Sequence, residues 1–134
     1  GVEFFSSFGG NPVSCAAGIA VLNVLEEEKL QENAYNVGKY YMRKLNELKK
    51  EFKNIGDVRG SGLFIGIEII KENSKIPDTK LAQTIKNEFR KNQILVGSDG
   101  PYDNVIKSKP PICFSKENVN EVVYIFRSIL KKSK

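Results

Sequence analysis

The sequence predicts a small α+β domain, a short and mostly antiparallel sheet with helices on one face. Three observations lead there. Apolar residues recur at spacings of three and four between Leu30 and Phe52. Short runs rich in β-branched residues follow, broken by glycine and proline. A second helical stripe, Val119 to Leu130, closes the chain.

Taken in order, Gly9, Gly10 and Asn11 form a turn, and Pro12 suits the first position of a helix that Asn11 caps. Val13 to Leu25 is apolar on nearly every side, the mark of a helix buried between other layers. Such a helix asks for more protein than this chain supplies. After Glu26, Glu27 and Glu28 comes the amphipathic stripe Leu30, Ala34, Val37, Tyr41, Leu45, Leu48, Phe52, with lysines and glutamates opposite. In IGDVRGSGLFIGIEII, Gly56 and Gly60 punctuate a turn, and Leu63 to Ile70 reads as a strand. The glycines there are spaced GxGxxxG and lead into a strand, so they are not a dinucleotide fingerprint, which opens a helix. Residues 71–78 are a polar loop; Leu81, Ile85 and Phe89 face one way on a helix ending near Asn92. Ile94 to Gly97 is a short strand, and Ser98, Asp99, Gly100 and Pro101 are turn chemistry. Val105–Ile106 and Ile112–Phe114 are extended runs parted by Pro110–Pro111, and Ser115 caps the last helix. The predicted order is helix, helix, strand, helix, strand, strand, helix.

With 134 residues, 40% hydrophobic and 28% charged, the chain has the composition of one modest globular domain. No apolar run is long enough to span a bilayer. The opening GVEFFSSFGG is not a secretory signal; it lacks Met and starts at a motif, which points to a fragment. The net charge of +5 comes from lysines scattered through the chain. Without interleaved aromatics they read as solvated faces and not as a nucleic-acid platform. Cys15 and Cys113 sit in apolar surroundings and read as buried thiols in a reducing compartment. There is no histidine, which excludes a Ser-His-Asp triad, a Cys-His pair and most zinc chemistry within the chain.

Ser6-Ser7-Phe8-Gly9-Gly10-Asn11-Pro12, followed by the Ala-rich helix, resembles the TFGGNP segment of class-III aminotransferases. The likeness continues in order through Val24 to Glu28, Gln31 to Ala34, Val37-Gly38, Ile55 to Gly60, Gly62 to Glu68 and Pro110 to Phe114. The family implies a homodimeric fold-type-I enzyme that uses pyridoxal 5'-phosphate (PLP). Residues 1–27 would then end its large cofactor-binding domain, with the first helix packed on the missing part. Residues 28–134 would form the small C-terminal domain. The resemblance also implies the cytoplasm or the mitochondrial matrix, with neither a nucleic-acid nor a membrane partner.

The family's usual Thr before Phe-Gly-Gly-Asn-Pro contacts the PLP phosphate of the neighbouring subunit. Ser7 stands there, with Phe8 beside it, and a hydroxyl with turn amides keeps that donor chemistry. The bland alternative is that Ser6 and Ser7 only cap a turn. The family's cofactor-anchoring lysine and the Asp partner of the pyridine nitrogen lie upstream of this motif. No catalytic residue is therefore assigned, and the isolated chain is expected to be inactive. Many members place an Arg shortly before the Pro pair to clamp a substrate carboxylate. Lys107 stands there instead, a point charge and not a planar fork. With Ser98 to Tyr102 and Asn104-Val105, it most resembles the phospho-lyase branch, which eliminates phosphate from phosphoethanolamine or 5-phosphohydroxylysine. Lys107 would then face an anionic group of a small amine substrate; the alternative is a lysine solvated at a strand end. Arg59 is expected to brace its turn or make a domain contact. A class-III transaminase and a non-catalytic interaction module remain as alternative readings.

Overall fold

A computed structural model describes residues 1–133. It contains two compact units, Gly1–Gln31 and the chain from Glu32 onward. Its elements are α1 (Pro12–Glu27), α2 (Leu30–Glu51), β1 (Ile55–Ser61), β2 (Phe64–Ile69), α3 (Thr79–Lys91), β3 (Gly97–Asp99), β4 (Val105–Ser108) and α4 (Lys116–Lys132). None of the helices described is long and apolar enough to cross a membrane.

In the first unit α1 starts where its sequence says it should. The Asn11 side chain accepts from the Val13 and Ser14 amides at 3.0 and 3.2 Å, and Pro12 opens the first turn. Within this chain the helix is uncovered, and its expected packing lies on protein that the chain does not contain. None of its residues is buried; Val13, Ile19, Val21, Leu22 and Val24 are exposed, and so is Cys15.

The second unit is built around one core. α2 buries Val37, Tyr41, Leu45 and Leu48, with Phe52 just beyond its end. α3, capped by Asp78 onto the Leu81 amide, buries Ala82, Ile85 and Phe89. α4 begins in a capping box in which Ser115 and Asn118 each accept from the other's amide, and it buries Val119, Val123, Phe126, Ile129 and Leu130. The Phe89 and Phe126 rings, 5.4 Å apart, join α3 to α4. These helices meet one face of the sheet, where Val58, Ile65, Ile67, Ile69 and Ile106 alternate with outward residues. Each fully buried aliphatic side chain there is worth about 1.5–3 kcal/mol.

The sheet has strand order β1-β2-β4-β3, and every pairing is antiparallel. It contains a strand where a glycine turn was expected, since Ile55–Ser61 pairs along β2 from Ile55↔Ile69 to Ser61↔Phe64. Gly60 is needed for closeness and not for a bend. A Cβ there would lie 2.2 Å from the Phe64 carbonyl oxygen of the neighbouring strand. The third strand falls later than expected, at Gly97–Asp99 and not Ile94–Gly97. Ile94 and Val96 instead pack against the core on the way out of α3, where the Ile94 amide donates to the Phe89 carbonyl. Ile112–Phe114 is a turn and not an extended run, closed by the Phe114 amide on the Pro111 carbonyl at 3.0 Å. Asn33 Nδ2 donates to the Ile112 and Phe114 carbonyls at 2.9 and 3.1 Å, which ties this turn to α2. The turn leaves Cys113 exposed, against the expectation of a buried thiol.

Candidate functional site

The face of the sheet turned away from α2, α3 and α4 carries most of this unit's distinctive chemistry. Register sets it out in rows. Arg59 pairs with Gly66, Gly66 with Lys107, and Lys107 with Gly97. The next row runs Asp57, Glu68, Val105, Asp99. Residues two apart on a strand share a face, so both rows point the same way. From these rows Arg59, Gly66, Lys107, Val105 and Asp99, together with Gly60, Ser61, Phe64 and Gly100, outline an open pocket of about 310 Å³.

Both cations of the pocket are held. Arg59 Nη1 donates to Asp57 Oδ2 at 3.0 Å and to Glu68 Oε2 at 2.9 Å, one carboxylate on its own strand and one on β2. The hydrogen bond to Glu68, then that to Asp57, keeps the guanidinium charged beyond its ordinary range. Arg59 thus braces β1 against β2. Burial tends to raise the Asp57 carboxyl, but the Arg59 and Val58 hydrogen bonds and the nearby Lys49 outweigh it and hold the group below its ordinary value.

Lys107 lies on β4, and its Nζ donates to Asp99 Oδ2 at 2.6 Å. The other Asp99 oxygen accepts from the Gly100 amide at 2.8 Å. The Lys107 hydrogen bond, reinforced by that amide, holds Asp99 below the usual carboxylate range. The turn that joins β3 to β4 is fastened to the core unit twice. Thr79 Oγ1 donates to the Tyr102 carbonyl, and buried Asn104 donates from Nδ2 to the Ile69 carbonyl at 2.9 Å. Lys86 of α3 donates to Ser98 Oγ at 3.2 Å and holds β3 from beneath.

Ser7 and Phe8 belong to the first unit, in the turn over residues 7–10. Both are exposed. The turn is closed by Ser6, whose Oγ accepts from the Gly9 amide at 3.1 Å, and Gly10 takes the left-handed conformation at φ 77°. Ser6 therefore does the capping, and the Ser7 hydroxyl is spent on none of the turn's hydrogen bonds. An exposed hydroxyl on a glycine turn fits a phosphate that arrives from outside the chain.

Sequence reasoning picked Lys107 but missed Asp99 as its partner, because Ser98 to Pro101 read wholly as a turn. An Asp eight residues before a Lys across a tight turn was the available signal. Among the described residues no cluster of His, Cys, Asp and Glu could hold a metal ion.

The class-III aminotransferase family model matches residues 3–130. An alanine–glyoxylate aminotransferase 2-like protein of Drosophila melanogaster is 51% identical over 132 residues, covering 97% of this chain and 27% of its own length. Ethanolamine-phosphate phospho-lyase homolog 1 of Caenorhabditis elegans is 42% identical, covering 96% of this chain and 28% of its own. Among solved structures, a phospholyase from Arthrobacter in complex with phosphoethanolamine superposes with a TM-score of 0.91 at 38% identity, covering 96% of this chain and 31% of that one. The chain therefore spans little more than a quarter of the curated relatives it matches. Over nearly all of its own length it belongs to the class-III aminotransferase family.

Proposed function

We propose that this chain is the C-terminal segment of a PLP-dependent enzyme that acts on a small amine bearing an anionic group, in the phospho-lyase branch of its family. The observation that carries the reading is the Lys107 ammonium, held at the rim of a pocket on the sheet face that α2, α3 and α4 leave open. Lysine is an established phosphate binder that acts as a point charge, without the bidentate fork that an arginine would offer there. The Arthrobacter phospholyase, described with phosphoethanolamine, supports the same direction.

Under this reading Lys107 orients the substrate by its anionic end. Ser7, beside Phe8, donates its hydroxyl to the PLP phosphate in the neighbouring subunit of a homodimer. Bound PLP supplies the electron sink through which the substrate's amine-bearing carbon loses a proton. This chain contributes binding and orientation and no acid or base. Residues 1–27 belong with the cofactor-binding domain and residues 28–134 form the small one. Relatives named as mitochondrial occur in Arabidopsis thaliana and Homo sapiens, which supports the mitochondrial half of the expected cytoplasmic or matrix placement.

The test is phosphate release from phosphoethanolamine by the complete enzyme, run beside transfer of an amino group to a keto acid. Phosphate release supports the reading. Amino transfer without it moves the protein to the transaminase branch, and neither activity leaves an interaction module.

A further inference from the structure

The two cations of the pocket are neutralised in different ways. Arg59 is gripped by two carboxylates from adjacent strands. Lys107 has one partner, Asp99, which itself lines the pocket and stands on the sheet's edge strand. The Asp99 side chain is 59% exposed, against 33% for Glu68. Its second oxygen stays on the Gly100 amide, so the carboxylate remains anchored when the ammonium leaves it.

The lysine stem also has room on one side. Its two cross-strand neighbours are Gly66 and Gly97. A Cβ on Gly97 would stand 3.4 Å from Lys107 Cε, so any side chain there would fence the stem in. Over Gly66 the Val105 side chain fills the space, so the stem's open side is that of bare Gly97, and this is the side on which Nζ has room between Asp99 and the pocket.

We propose that Asp99 is a displaceable counter-ion, a positioning residue that parks the Lys107 ammonium at the pocket rim until an entering anionic group takes it over. The proposal rests on the reading that Lys107 meets the anionic end of the substrate. Exposed ion pairs contribute at most about 1 kcal/mol, so the exchange opposes anion binding only a few-fold. A buried pair would block it.

The experiment uses the complete enzyme with its cofactor bound and inorganic phosphate as the probe, with dissociation constants measured by titration calorimetry at fixed ionic strength. Lys107→Met is expected to weaken phosphate roughly tenfold, the loss of one charged hydrogen bond. Asp99→Asn is expected to tighten it about two- to fivefold. Asp99→Glu, which keeps the pair, should behave as the parent. Asp99→Asn added to Lys107→Met should change nothing, because the competition is gone. A merely structural Asp99 would move the other way, since its loss would slacken the pocket and weaken binding. Weaker or unchanged binding in the Asp99→Asn single variant overturns the proposal while the Lys107 reading stands. So does equal tightening in the Lys107→Met background. Phosphate affinity untouched by Lys107→Met removes the reading beneath it.

Discussion

Gly38 to Ala should destabilise a helix that an Ala would ordinarily improve. In a helix interior Ala is about 1 kcal/mol better than Gly. Gly38 lies inside α2 but is buried, and its Cα faces the β1–β2 turn. A Cβ built there would lie 2.2 Å from the Gly62 carbonyl oxygen, 2.4 Å from its carbon and 2.8 Å from its Cα. Ordinary contact needs about 3.5 Å, so the backbone of the turn must move by more than an ångström. Gly62 is itself left-handed at φ 53°, and the turn it makes is short. Overpacking costs about 1–3 kcal/mol, and a backbone obstacle places this case at the upper end. After the propensity gain, the net loss is about 1–2 kcal/mol. Urea unfolding followed by circular dichroism measures it, and each kcal/mol should lower Tm by about 4–8 °C in a unit of this size. Gly18→Ala in α1 is the control, since a Cβ there meets nothing within 4 Å. A Gly38→Ala protein as stable as the parent would refute the claim that close approach, and not helix geometry, demands glycine here.

Four further outcomes are expected. Ser115→Ala removes one half of the α4 capping box and should cost about 1 kcal/mol in urea unfolding, while helix content stays almost unchanged. Burial raises the Tyr41 hydroxyl above its ordinary 10.0, so its contribution is complete below that pH and is lost as pH rises through the folded value. Tyr41→Phe should therefore move alkaline unfolding to higher pH; the Ser108 hydrogen bond it gives up is long, at 3.5 Å. Asp57 is held below its ordinary 3.8, so its stabilisation is present above that pH and fades as pH falls through the lower folded value. Asp57→Asn should flatten the acid arm of a stability–pH curve, and an unchanged arm would mean the Arg59 contacts are too exposed to matter. Residues 1–134 purified alone should show no PLP-dependent turnover.

The sequence made the helices legible because their signals are local. The stripe from Leu30 to Phe52 became the buried face of α2, and the stripe from Val119 to Leu130 that of α4. Asn11 and Ser115 cap where they were expected. Strands were read less well. Ile55–Ser61 carries two glycines and an Asp-Val-Arg centre, a turn-like composition, and only its pairing with β2 makes it a strand. Pro110–Pro111 was seen as a break, but not that it would fold Ile112–Phe114 into a turn held by Asn33.

The family, the capped helices and the identity of Ser7, Phe8 and Lys107 as residues of interest follow from the sequence alone. Those features rest on spacing within a few residues or on matched motifs in order. The pairing of Lys107 with Asp99, the double grip on Arg59 and the exposure of Cys113 were decided by tertiary structure. The first two depend on which residues the β1-β2-β4-β3 register sets opposite one another, and the third on the turn that Asn33 holds against α2. The periodicity of a single strand says which residues share a face, and it is silent on their neighbours across the sheet.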